Sequence, residues 1–372
     1  MHPNRFLSAG SEDVHNAAPS QDKPLSDAWL AQEQQFITDF FEKRLPESRN
    51  MPPGTIICTS KECDDFAKQA LRTDDVRLVE NQGSRSYTLL CPSQSKIVQF
   101  RLKPFDEDVM KLARQIHGTL VPSVTALHDF ALPVYVSPVI PGRIHILQSF
   151  PPEAFPLERQ LNTVVEVARF AAKSAFYPQP ASSLSSTSWT ATAAETLRKL
   201  TQNEEVRKVE PRFKMKAALL LEKLGSLRVL PLVLSHGDFV EINIMVDGHG
   251  HVTGVIDFED AGTEVLGMNL FGVYESFFGH MNQQVWTFFD QPAGDGSGRS
   301  VRMVLETAFW DTFWESLPAH MTRSSLEEAM MVALEIGMIN RYFVRGLLET
   351  LDLESQDHRI SLAFARGLLL DR

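Results

Sequence analysis

Apolar positions along the chain follow two spacings, and where each occurs sorts the sequence into segments. Trp29, Phe36, Ile37, Phe40 and Phe41 form one stripe of a helix that Ser26 can cap and that runs to about residue 45. Its other face, with Gln32, Asp39 and Lys43, is polar without being basic, which suits a packing element rather than a membrane anchor. Pro52, Pro53 and Gly54 break the chain. Residues 76–81, 86–91 and 96–102 then read as strands. The spacing of Val109, Leu112, Ala113 and Ile116 predicts a helix over 105–117, and two short strands follow near 124–127 and 134–139. The segment 138–142, PVIPG, suits a hinge. Beyond it, helices are expected over 157–176, 191–202 and 212–224, with a Pro/Ser-rich surface loop at 177–188. An apolar strand at 230–234 leads into a hairpin of 244–246 and 252–256. After Gly262 almost everything reads as helical, and the run 326–351 has the most regular period. No internal repeat occurs.

These elements divide the 372 residues into a polar tail over 1–24, a strand-rich lobe with its N-terminal extension over 25–140, and a mainly helical lobe over 141–372. The expected class is α+β, a small antiparallel sheet carrying one helix followed by a helical lobe. The tail lacks the hydrophobic core of a signal peptide, and its one Arg among several acids is unlike a transit peptide. No apolar run reaches the roughly 18 residues that a membrane helix needs. Cys58, Cys63 and Cys91 are odd in number and form no CxxC pair, so neither a disulfide framework nor a zinc site is expected. A reducing, cytoplasmic setting fits them. The net charge of −11 argues against a general nucleic-acid binder and is compatible with a cationic substrate. Oligomeric state is not legible.

The chemistry concentrates in residues 232–261, LVLSHGDFVEINIMVDGHGHVTGVIDFEDA. An apolar strand runs into His236-Gly237-Asp238, and Asn243 follows Asp238 by five residues. The hairpin turns at Asp247-Gly248-His249-Gly250, and its second strand ends at Asp257. Phosphoryl transfer needs positioning and charge neutralisation more than covalent chemistry. One carboxylate must sit beside the acceptor hydroxyl, and another must hold Mg²⁺ on the nucleotide phosphates with help from a neutral oxygen ligand. Asp238 fits the base, and Asn243 and Asp257 fit the metal ligands. His236 is expected to support the loop by hydrogen bonds. His249 and His251 flank a turn and lack the context of metal ligands. Glu241 and Glu259 either line an acceptor site or face solvent. Phe271, Phe277, Phe278, Phe288 and Phe289 are expected in the core.

HGDFVEIN followed by VIDFEDA resembles the signature of the aminoglycoside phosphotransferase and choline-kinase-like family, a branch of the protein-kinase-like superfamily. That resemblance implies a bilobal kinase-like fold and an ATP- and Mg²⁺-dependent transfer to a hydroxyl of a small-molecule metabolite. It places a phosphate-covering loop at residues 81–86, with Gly83 and Ser84, although the single glycine fits an ordinary hairpin turn as well.

The sequence departs from the family on the third strand. Gln99 stands where a lysine holds the nucleotide phosphates, and Gln115 stands where its glutamate partner is usual. Arg101 shares the strand face of Gln99 and can reach the phosphates in the lysine's place. DFG, APE and an activation loop are missing, which argues against a protein kinase. A kinase-like binding module without activity is the alternative that the missing lysine favours. The intact Asp238, Asn243 and Asp257 favour an enzyme.

Overall fold

The computed structural model describes residues 27–79, 82–148, 155–282, 284–343 and 347–372. The tail over 1–24 and Asn81 of the expected phosphate loop lie outside them. Chain contacts divide the described residues into two compact units: residues up to 106 with 122–140, and residues 107–121 with those from 141 onward.

The first unit opens with helix α1 (Asp27–Asp39), continued through a wider turn at Phe40–Arg44 and a short helix at Leu45–Ser48. Helix α2 (Ser60–Leu71) was not legible in the apolar pattern, but its start is written in local chemistry. The Thr59 hydroxyl accepts from the Glu62 N–H at 3.2 Å, and the Thr59 N–H donates to Glu62 Oε2 at 2.7 Å. Strands β1 (Arg77–Leu78), β2 (Ser86–Cys91), β3 (Lys96–Arg101), β4 (Thr125–Leu127) and β5 (Val134–Pro138) form an antiparallel sheet in the order β1-β2-β3-β5-β4. One face buries Tyr87, Leu89, Cys91, Val98, Phe100 and Val134 against Phe40, Leu45, Cys63 and Ala67. Period-two alternation puts Ser86, Thr88, Gln99 and Arg101 on the other face.

Of the expected strand over 76–81, the described residues form Arg77–Leu78 as strand, and Glu80 and Asn81 lie outside the described residues. The side-chain amide of Gln82 also pairs with β2, accepting from Thr88 N–H at 2.9 Å and donating to its carbonyl at 2.8 Å.

The second unit contains α3 (Glu107–His117), β6 (Arg143–Ile144), α4 (Leu157–Lys173), α5 (Trp189–Gln202), α6 (Arg212–Lys223), β7 (Leu232–Ser235), β8 (Ile244–Val246) and β9 (Val252–Val255). Then come β10 (Gly262–Val265), α7 (Phe271–Phe277), β11 (Gly279–Asn282), β12 (Val285–Phe288), α8 (Val301–Glu315), α9 (Arg323–Phe343) and α10 (Gln356–Leu369). The expected all-helical end is therefore interrupted twice. Strand β10 pairs antiparallel with β7, Gly262 opposite Ser235, and β11 pairs with β12. At four residues each, these strands are too short to show a period. Glu264 has a further use, since its carboxylate accepts from the Trp189 and Thr190 N–H groups and so closes the start of α5. Helix α9 is described to Phe343, and residues 347–349 form a turn where the expected helix ran on to 351. Among the described residues, no helix is long and apolar enough to cross a membrane.

Candidate active site

Strand β7 delivers the loop His236–Asp238 from the interior, and Gly237 makes the turn possible. Its φ is +78°, and a Cβ there would lie 2.0 Å from the Asp260 carbonyl oxygen. His236 is buried, and burial holds its imidazole below the usual range, so it is neutral. Its Nδ1 accepts from the Asp238 N–H at 3.3 Å, which leaves Nε2–H to donate to the Ile256 carbonyl at 2.8 Å. The Ile256 N–H in turn donates to the Asn243 carbonyl at 2.9 Å. Both ends of the HGDxxxxN stretch are thus tied to the residue that precedes Asp257. The support expected of His236 is this clamp.

Asp238 and Asn243 meet directly. The Asn243 side-chain amide donates to Asp238 Oδ2 and to the Asp238 carbonyl, each at 2.9 Å. The other carboxylate oxygen, Oδ1, receives Nη1 of Arg341 at 3.0 Å. Arg341 comes from α9 and was not among the residues singled out in the sequence. It also contacts Glu275 of α7, with Nε 3.3 Å from Oε2 and Nη2 3.4 Å from Oε1. Tyr342 donates its hydroxyl to Glu275 Oε2 at 2.8 Å. Burial opposes the Arg341 charge, but the Glu275 and Asp238 carboxylates outweigh it and keep the guanidinium protonated. Burial and the Glu275 carboxylate push the Tyr342 phenol well above its ordinary range, so it stays a donor.

Asp257 ends the hairpin at φ 64° and ψ 60°, a left-handed conformation that Asp adopts more readily than most residues, and its carboxylate is exposed. The Asn243 amide nitrogen is spent on Asp238, which turns its Oδ1 the other way. An exposed carboxylate and an amide oxygen are hard donors that fit Mg²⁺ when phosphate oxygens complete the shell. Among the described residues no group of three or more His, Cys, Asp or Glu can hold a metal ion by itself.

Glu241 points inward, its Oε2 3.3 Å from Nδ1 of buried His145, whose Nε2 lies 3.0 Å from Gln160 Oε1. His251 pairs with Glu166 at 2.8 Å, and this contact raises its pKa. Phe271, Phe277, Phe278 and Phe288 are buried, as expected, whereas Phe289 is only half-buried.

The remaining candidates lie in the first unit. Gly83 and Ser84 follow Gln82, whose backbone N–H donates to Glu33, and Arg44 donates to the Ser84 carbonyl at 2.8 Å. Helix α1 and its continuation therefore anchor this loop. Across the sheet, Thr88 pairs with Gln99 and Ser86 with Arg101. Arg101 is 2% exposed, so it does not turn to solvent, and its guanidinium stacks 4.0 Å over the Phe105 ring.

Comparison with known proteins agrees with this architecture. An ethanolamine kinase from Plasmodium vivax superposes with a TM-score of 0.50 at 11% identity, over 94% of this chain and 95% of that one. An ADP-bound aminoglycoside phosphotransferase, APH(2'')-Ib, gives a TM-score of 0.48 at 14% identity, over 84% of this chain and 100% of that one. At 11% identity the likeness to the ethanolamine kinase is one of fold alone. No curated protein matches the sequence. The model of the phosphotransferase enzyme family matches residues 94–285, just over half of the chain and all of the His236–Asp257 machinery. The chain belongs to the phosphotransferase enzyme family.

Proposed function

We propose that this chain is an ATP- and Mg²⁺-dependent kinase that transfers the γ-phosphoryl group to a hydroxyl of a small-molecule metabolite. The observation that carries the reading is the Asp238 carboxylate, 1% exposed and held through one oxygen by Arg341 and through the other by Asn243. A carboxylate held in a fixed orientation is suited to take the proton of an acceptor hydroxyl. Asp238 takes that proton as the acceptor oxygen bonds to the γ-phosphorus. The bond from phosphorus to the leaving oxygen breaks, and ADP departs with its electron pair. Asn243 and Asp257 would hold Mg²⁺, which when bound neutralises phosphate charge. Gly83 and Ser84 supply loop backbone to the phosphates, and Gln99 and Arg101 supply side-chain donors. The buried free thiols of Cys58, Cys63 and Cys91 suit the cytosol.

The test incubates the purified protein with Mg·ATP and a metabolite extract and follows ADP and new phosphate esters by mass spectrometry. Thermal denaturation with ATP, with and without Mg²⁺, runs beside it, since a ligand of the native state alone must raise its stability. No ester and no Mg²⁺-dependent stabilisation sinks the proposal. ATP binding without any transfer would favour the inactive module that the amide at position 99 suggests.

Two variants probe the parts. Asp257→Ala is expected to lose the Mg²⁺-dependent share of ATP stabilisation, because the metal loses its carboxylate. Equal stabilisation of mutant and parent would remove Asp257 from the metal site. Arg101→Ala is expected to weaken ATP binding by about tenfold or more, the scale of one charge-assisted contact. Gln99→Lys should be tolerated, and calorimetric titration of Mg·ATP into both variants decides whether Arg101 replaces the strand lysine.

A further inference from the structure

We infer that Arg341 is a positioning residue for the transfer, its guanidinium fixed by Glu275 and Tyr342 so that it holds the Asp238 carboxylate in one orientation. The inference rests on the reading of Asp238 as the base.

Three charged side chains meet here out of water, with Arg341 9%, Asp238 1% and Glu275 2% exposed. A buried ion network of this kind gains little stability over apolar packing of the same volume, so stability alone does not account for it. Its geometry points at Asp238. Nε and Nη2 of Arg341 face the two oxygens of Glu275, which sets the plane of the guanidinium, and Tyr342 sets Glu275 from behind. In that plane Nη1 meets Asp238 Oδ1 at 3.0 Å. A lysine has no such fork and cannot span both carboxylates in one fixed plane.

The test uses the full chain and phosphate release from Mg·ATP, with water as acceptor, and titrates ATP by calorimetry. Arg341→Gln is expected to lower turnover by about tenfold or more, the cost of a misplaced base. ATP affinity should stay within about twofold of the parent, since no phosphate contact is removed, whereas a purely structural role would lower rate and affinity together. Arg341→Lys keeps the charge without the fork and should recover part of the rate but not all of it. Should Arg341→Gln fail to fold, Arg341→Gln/Glu275→Gln removes the opposing carboxylate as well, and a slowed turnover is expected there too. Parent-like rate in the single or the double variant, or rate and ATP affinity falling together, overturns the inference. Asp238→Asn separates the two ideas: a slow Asp238→Asn beside parent-like Arg341 variants ends only the positioning role, whereas a fast Asp238→Asn ends the base itself.

Discussion

Asp238→Asn is expected to fold, to bind Mg·ATP, and to turn over at least about a hundredfold more slowly than the parent. The loss follows from basicity, because an amide oxygen cannot take the acceptor proton. The structure adds a stability cost that the sequence alone does not suggest. Asp238 sits between two donors, Arg341 Nη1 on one oxygen and Asn243 Nδ2 on the other. A side-chain amide offers one oxygen and one NH₂ group, so one donor loses its acceptor whichever way the amide is turned. Leaving a buried donor unmatched costs about 1–3 kcal/mol. The melting temperature should therefore fall with turnover, while ATP affinity changes little. Parent-like turnover would remove Asp238 from its role, and a parent-like melting temperature would mean that the two contacts matter less than their geometry implies.

The contrast between Asn243 and Arg341 shows what the sequence makes legible. Asn243 lies five residues from Asp238 and is joined to it by a short loop, so the spacing announces the contact. Arg341 lies 103 residues away on a helix whose pattern speaks only of burial. Nothing local marks it as a partner, because the contact depends on where α9 packs. The same divide runs through the fold. Strands β2 and β3 and the hairpin of β8 and β9 follow from alternation and turn chemistry between near neighbours in the chain. The pairing of β7 with β10 depends on a close return of the chain around Gly237, and Thr88 of β2 is met by a side-chain amide, that of Gln82, which imitates a strand. Helix α2 was legible after all, in Thr59 and Glu62, but only to a reading that weighs caps as well as apolar stripes.

Gly237→Ala is expected to have the second large effect, through the backbone alone. Glycine is required there twice. The φ of +78° costs an L-residue about 1–2 kcal/mol, and a Cβ would stand 2.0 Å from the carbonyl oxygen of Asp260, closer than any contact distance. Since Asp260 is backbone in a tight turn, the clash is not relieved by a side-chain rotation. Either the loop or the turn must move, and both carry the site: Asp238 follows Gly237 directly, and Asp257 begins the turn that contains Asp260. A displacement of about 1 Å at a reacting group is enough to cost about a hundredfold in rate. Gly237→Ala should thus lower both the melting temperature and turnover, with weaker Mg²⁺-dependent stabilisation by ATP. Gly248→Ala is the control, since no atom lies within 4 Å of its Cβ position and its φ is not in the left-handed region. It sits in the turn of the same hairpin and should behave like the parent. If Gly237→Ala also matched the parent in melting and in phosphate release from Mg·ATP, the close approach of loop and turn would not be what holds Asp238 and Asp257 in place.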